Sequence, residues 1–376
     1  MPADNLPEAQ SRLIDDEPSQ SVKVSVLSSE KLASRRRWRH LSDKTAKVSI
    51  AVGGISVIVA ILLIFAYLFY EVVPLFAGAT VEEAASYDLQ DSSASLHLAI
   101  EEQSEMAMRL GDDGVARFFD LESGENAATI AVKVPSGATI TSFALDSEQS
   151  GLFALGLNTG EAVVARYAYD TRFAQLDNRR ILTPKIDYPF GEIPYTLAVD
   201  KPLASIALRT SGENMMLAAT ARGGELSLLK ASKQTSLFAA FDLGGGAEFE
   251  IEERRLSGMT LGGEQLFIDG DRFWLFVIDD EGLARLLSLR TAFTAPNPQF
   301  EVQALLTAGR ANPTDISFLL GGISLLVGDD QGAISQWFLT KRDDTVALEK
   351  IRSFQDSASP VVSLSPEQRR KSFVSV

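Results

Sequence analysis

The sequence has no cysteine and only two histidines, His40 and His97, in 376 residues. The first absence excludes a disulfide framework, a thiol nucleophile and zinc sites built on thiolates. The second leaves little material for a histidine-ligated metal or a proton relay. Basic charge is also short: 35 Lys and Arg face 50 Asp and Glu, a net charge of −15. Nucleic-acid binding needs clustered Lys and Arg against phosphate, so no nucleic-acid partner is expected. Searches for a phosphate-cradling G-x-x-x-x-G-K-[ST] loop, H-E-x-x-H, an EF-hand loop and G-x-S-x-G find nothing. Ser28-Ser29-Glu30-Lys31 fits S-x-x-K by chance in an acidic tail. No catalytic, cofactor-binding or metal-ligating residue is expected, and the chain is not expected to be an enzyme.

What is present begins with one apolar run. Residues 48–70 read VSIAVGGISVIVAILLIFAYLFY, 23 residues without a charge. As a helix rising about 1.5 Å per residue they exceed a hydrocarbon core of about 30 Å. A membrane helix is therefore expected over 48–73, with Tyr67 and Tyr70 at the far interface; Gly53-Gly54 reads either as ordinary glycine usage in a span or as a place where another helix could approach. The segment 35–47 before it is basic, and Glu71, Glu82 and Glu83 follow it, so the N-terminus is expected inside and the rest outside. Ala77-Gly78-Ala79 resembles a signal-peptidase site, but the apolar core and the leader before it are both too long for a signal peptide. An uncleaved anchor is expected. Arg35-Arg36-Arg37-Trp38-Arg39 serves as a topology signal and as a candidate contact to anionic lipid. Residues 1–34 lack a sustained hydrophobic period and are expected to be a disordered cytoplasmic tail.

Beyond a linker at 74–95, residues 96–376 are expected to form the second domain. Residues 71–376 hold 26 Lys and Arg against 43 Asp and Glu, a net charge of −17. Short alternating strands separated by Gly and Asp turns predict an all-β fold. Five segments repeat a strand, a polar turn ending in glycine, and a second strand. They are MRLGDDGVARFFDL at 108–121, LGLNTGEAVVARYAY at 155–169, ATARGGELSLLK at 219–230, FVIDDEGLARLLSL at 276–289 and LLVGDDQGAISQWFL at 325–339. The turn glycines Gly114, Gly160, Gly224, Gly282 and Gly332 are 46, 64, 58 and 50 residues apart. A further apolar strand precedes each hairpin where it is clearest, residues 142–145 before 151–155 and 316–319 before 323–326. Four strands per unit is the β-propeller blade; a pair of β-sandwiches is the competing fold.

The turns resemble those of WD40 repeats, most closely at Gly328-Asp329-Asp330-Gln331-Gly332 with Gln336-Trp337-Phe338, although the His and Asp hallmarks are missing. The expected fold is mainly β, a WD40-like β-propeller preceded by one transmembrane helix. Residues 361–366 and 372–376 repeat the opening strands of a blade, so the last blade is expected to be truncated and the chain to be a fragment or to be completed by another chain. Asp112-Asp113, Asp279-Asp280 and Asp329-Asp330 recur at equivalent turns, which assigns them to turn chemistry. Gly244-Gly245-Gly246 reads as a loop, and Trp274 and Trp337 as core.

Residues 35–80 resemble the start of long bacterial phosphate ABC-transporter permeases of the PstC type. The likeness lies in Arg36-Arg37-Trp38-Arg39-His40-Leu41, Lys44, Ala51-Val52-Gly53-Gly54 and Tyr70-Glu71-Val72-Val73-Pro74-Leu75-Phe76. In that family a first membrane helix precedes a large extracytoplasmic propeller-like insertion and then the permease helices. The resemblance implies phosphate import at the bacterial inner membrane. The implied partners are an ABC ATPase subunit, a second permease subunit and a periplasmic phosphate-binding protein, with the propeller in the periplasm as a protein-interaction domain. The remaining membrane helices and the loop that couples to the ATPase are not in this sequence, so no transport residue carries over. The alternative is a single-span envelope sensor or assembly scaffold. No cofactor is expected in either case.

Overall fold

The computed structural model describes residues 29–76, 86, 92–174, 180–233, 249–256, 261, 264–307, 311–342, 345–354, 359–367 and 371–376. The chain divides into two units, Met1–Ala84 and Ala85–Val376.

The first unit is one helix, α1 (Ser29–Val72), closed by a 3-10 turn at Val73–Phe76. Its apolar residues from Val48 onward stand exposed, and the stretch Leu41–Val72 is long and apolar enough to cross a membrane. Two hydroxyls on this helix are satisfied within it. Thr45 Oγ1 donates to the Leu41 carbonyl at 3.0 Å and Ser56 Oγ to the Gly53 carbonyl at 2.8 Å. At Ser56, inside the apolar run, such back-bonding suits a hydrocarbon environment that offers no water. The helix is longer than the span read from composition. It takes in the basic segment 35–47 and also residues 29–34, which were expected to lie in a disordered tail. The Leu, Ala, Lys and Arg of that stretch are good helix formers, and the apolar segment supplies the costly nucleus from which they extend.

The second unit is a β-propeller. Five antiparallel sheets of consecutive strands run around it. The first blade holds β1 (Ser95–Ile100), β2 (Met106–Gly111), β3 (Val115–Asp120) and β4 (Asn126–Ala131). The second holds β5 (Ile140–Leu145), β6 (Leu152–Leu157), β7 (Glu161–Phe173) and β8 (Arg180–Asp187), with the two-residue β9 (Tyr195–Thr196) paired to β7. The third holds β10 (Leu203–Ser211), β11 (Asn214–Ala221), β12 (Leu226–Lys233) and β13 (Phe249–Leu256). The fourth holds β14 (Gln265–Ile268), β15 (Trp274–Ile278), β16 (Leu283–Ser288), the short helix α2 (Leu289–Thr294) and β17 (Val302–Leu305). The fifth holds β18 (Pro313–Phe318), β19 (Ser324–Asp329), β20 (Ile334–Arg342) and β21 (Thr345–Phe354). A sixth sheet has two described strands, β22 (Leu364–Pro366) and β23 (Phe373–Ser375).

The period of two along each second strand explains why the sheets stack radially. In β6, Phe153, Leu155 and Leu157 pack with Met108, Leu110 and Phe118 of the first blade. Leu152 and Ala154 point the other way, to Leu203, Ile206 and Leu208 of the third. In β11, Met215, Leu217 and Ala219 face back to the second blade while Met216 and Ala218 face on to the fourth. In β15, Leu275 and Val277 meet the third blade, and Phe276 and Ile278 meet the fifth. In β19, Leu325 and Val327 look to the fourth blade and Leu326 to the sixth sheet. A strand apolar on both faces has no solvent side, and only a sheet between two sheets accommodates it. Each such Leu or Phe contributes about 1.5–3 kcal/mol on burial.

Candidate functional site

The turns between second and third strands stand where the sequence repeat places them. Gly114, Gly160, Gly224, Gly282 and Gly332 take φ of 74, 86, 86, 82 and 88°, the left-handed region that disfavours a side chain. The acidic pairs are consumed by these turns. Asp279 Oδ1 accepts from the Leu283 N–H at 2.8 Å, and Asp329 Oδ1 from the Gln331 and Ala333 N–H groups at 3.0 and 2.8 Å. Asp113 accepts from the Val115 N–H and forms an ion pair with Arg117 at 2.6 Å. In the first and fifth blades the other acid of the pair reaches back to the chain entering the blade. Asp112 Oδ1 accepts from the Ala94 N–H at 3.0 Å and Asp330 Oδ1 from the Asn312 N–H at 3.1 Å. Among the described residues no group of three or more His, Asp and Glu is placed to hold a metal ion.

The turns between first and second strands carry a different constellation, built from four blades. Arg209, near the end of β10, donates from Nη1 to the Asp146 carbonyl oxygen at 2.5 Å, and its Nε lies 3.8 Å from Asp146 Oδ1. The Asp146 carboxylate accepts from the Thr210 N–H at 2.8 Å and the Thr210 hydroxyl at 2.9 Å. Asp269, after β14, accepts from the Phe273 and Trp274 N–H groups, each at 2.8 Å. Burial raises the Asp269 carboxyl above its ordinary value, and the charge of Asp271 adds to this; the two N–H bonds and Arg209 oppose it. Beside them the Gly270 N–H donates to the Gly322 carbonyl at 2.7 Å. A Cβ on Gly322 would lie 2.3 Å from Arg209 Nη2 and 2.6 Å from the Gly270 Cα, so glycine is required where blades four and five touch. The cluster compensates one guanidinium with acids and fixes four turns in relation to one another. It presents a rigid multi-loop end rather than an acid–base pair.

The first two blades are joined by a second charged group. Arg180, opening β8, donates to Glu101 and also lies 3.2 Å from Glu105. Burial by itself would raise the Glu101 carboxyl. The hydrogen bond and charge of Arg180, with the Gln103 N–H, outweigh it and hold the group below the ordinary glutamate range. Nearby, His97 stacks on Phe143 at 5.6 Å and lies 3.5 Å from Glu148 Oε2, to which the Tyr167 hydroxyl donates at 3.1 Å. Burial, followed by the Glu148 charge, pushes the Tyr167 hydroxyl well above its ordinary value. Tyr195, which opens β9, donates to the Phe190 carbonyl at 2.5 Å, and burial pushes its hydroxyl up to about 12.

Trp274 and Trp337 behave as core. Trp337 is buried beside Leu325 and Leu348 and donates to Ser335 Oγ at 2.8 Å; Trp274 packs against the same cluster. Arg254 is turned to the Ala295 and Pro296 carbonyls. Gly244-Gly245-Gly246 and Ser28 lie outside the described residues. Sequence reasoning missed Arg209, Asp146, Asp269 and the Glu101–Arg180 pair. Arg209 and Asp146 meet across 63 residues and Glu101 and Arg180 across 79, so no local spacing marks them; Asp269 bonds to nearby amides but lies outside the repeated acidic turns.

No family model matches the chain, and no curated protein matches it significantly. Among solved structures, the β-propeller domain of Cps50 (Swd1) from Myceliophteria thermophila is similar over 72% of this chain and 75% of its own length, at 13% identity and a TM-score of 0.42. The propeller assignment rests on the strand order and the two-faced second strands.

Proposed function

We propose that the chain is the membrane-anchored N-terminal part of an ABC-transporter permease subunit for phosphate import, with the propeller as an extracytoplasmic protein-interaction domain. The observation that carries this reading is one apolar helix with a basic N-terminal flank, followed by a propeller. The likeness of residues 35–80 to PstC-type permeases supplies the substrate and the family. An interaction role for the propeller is supported by its charge chemistry. Arg117, Arg166, Arg180, Arg209 and Arg285 each lie against a carboxylate, so these guanidinium groups are committed within the fold. A net charge of −17 outside the anchor opposes a phosphate site there. What such a fold offers is a rigid platform of loops, which suits the phosphate-binding partner or another envelope protein. We read the domain as non-enzymatic.

Two measurements test this. Reading the gene past the codon for Val376 should reveal further hydrophobic spans. An immediate stop codon would overturn the permease reading in favour of a single-span sensor or scaffold. Purification of the intact protein from its own membranes should recover an ATPase subunit and a phosphate-binding protein; recovery of neither contradicts the assignment.

A further inference from the structure

Of the two histidines, His40 belongs to α1 and His97 to the first strand of the propeller. The His97 side chain is 11% exposed and lies on the seam between the first two blades. Its ring stacks on Phe143 of β5 at 5.6 Å and meets Tyr167 of β7 at 5.9 Å. Within this apolar sandwich Nε2 is buried without a hydrogen-bond partner, yet Glu148 Oε2 stands 3.5 Å away. An unpaired buried nitrogen costs free energy, and protonation changes what it can do, because an imidazolium N–H donates to a carboxylate.

We propose that His97 and Glu148 form a proton-operated clasp: on acidification Nε2 takes a proton from water, keeps it, and hydrogen-bonds through it to Glu148, fastening the first blade to the second. Histidine suits the task because its ordinary titration falls between about pH 5 and 8. The surroundings leave Glu148 as the partner. On β2, His97 lies in register with Leu110; Arg109 beside it faces the opposite side of the sheet, and its Nε donates to Ser95 Oγ at 2.6 Å. On β5 the facing group is Phe143, which has no charge. On β7 it is Tyr167, whose hydroxyl donates to Glu148 at 3.1 Å. Burial, and then the Glu148 charge, raise that hydroxyl, so it stays protonated throughout. Tyr169, further along β7, sets its ring against Phe118. Of the other acids near these strands, Glu101 is held by Arg180 and Asp146 by Thr210.

That the clasp regulates the domain rests on the reading that the propeller lies outside the cytoplasm, where it meets the pH of the surroundings. The clasp itself is tested on the purified intact protein whatever its topology, so the two fail separately. The test is a double-mutant cycle of His97→Phe and Glu148→Gln, read by urea midpoint at about pH 8 and about pH 5.5. His97→Phe keeps a ring against Phe143 that cannot be charged, and Glu148→Gln keeps an acceptor for Tyr167. Coupling between the two positions should be close to zero at the higher pH. At the lower pH it should amount to at least about a fivefold shift in the unfolding constant, as a hydrogen bond to a charged group gives. Glu148→Gln alone should lose stability against the native protein on acidification, because it strands a buried imidazolium, and adding His97→Phe should abolish that loss. Equal coupling at both pH values, or none at the lower one, would overturn the proposal. If His97→Phe does not fold, His97→Gln takes its place in the same cycle.

Discussion

Arg209 of the third blade donates to the carbonyl oxygen of Asp146 in the second, across 63 residues of chain and at 2.5 Å. The contact is nearly dry, with 15% of the Arg209 side chain and 6% of that of Asp146 exposed. A cation held in such a place cannot lose its acceptors without cost, because water does not replace them.

Arg209→Met should therefore destabilise the propeller by about 3 kcal/mol, read as a lower urea midpoint at unchanged slope. Lys230→Met, which removes an exposed pair with Glu252 at 3.7 Å, should stay within about 0.5 kcal/mol. Equal effects from the two would mean that the four-blade cluster is not a structural centre.

Gly160 has both a left-handed φ of 86° and no room for a Cβ, which would lie 2.1 Å from the Ala198 carbonyl oxygen. That oxygen belongs to backbone and cannot swing away. Gly160→Ala should cost at least about 2 kcal/mol, or abolish folding, by the same urea measurement. A loss below about 0.5 kcal/mol would contradict the described turn.

The turn glycine illustrates what the sequence disclosed. Glycine after a polar turn, five times over, announced hairpins because positive φ is a local demand. Short apolar segments such as 152–157, set between Gly and Asp turns, announced strands; that they are buried on both faces between neighbouring sheets is visible only in the structure. The acidic pairs at the turns were legible for the same reason, since Asp279 and Asp329 bond to amides within four residues. What stayed hidden depends on how neighbouring blades pack. Glu101 and Arg180 are 79 residues apart, and nothing near either one names the other. The short helix α2 also escaped notice: six residues capped by the Ser288 hydroxyl are too few to show a period. The extension of α1 back to Ser29 was missed because composition alone does not report a helix that its neighbour nucleates.

The Glu101–Arg180 pair predicts a pH dependence. The folded Glu101 value lies below the ordinary 4.5, so its contribution is fully present above the unfolded-state value and is lost as pH falls through the folded one. Glu101→Gln should be less stable than the native protein near neutral pH, and the gap should narrow as pH falls below the ordinary glutamate range. Taking the difference between the two proteins removes the opposite trend expected from Asp269. A gap independent of pH would show that the ionised carboxylate is not what holds the blades.

Phosphate should find no high-affinity site on the intact protein. Repulsion by the acidic propeller acts over about 8 Å in physiological salt, and an anion site would need convergent arginines or helix N-termini to overcome it. Isothermal titration with inorganic phosphate should give no specific heat. Micromolar binding would make the propeller a substrate sensor instead of a protein platform.

The proposed topology is one membrane crossing with the propeller outside the cytoplasm, and its most direct test is a pair of reporter fusions. Alkaline phosphatase joined after Val376 should be active, and joined before Ser34 inactive. Replacing Arg35, Arg36, Arg37 and Arg39 together by acids should weaken this asymmetry, because the basic flank sets it. An inactive fusion after Val376, in a protein that is stably made, would contradict the account.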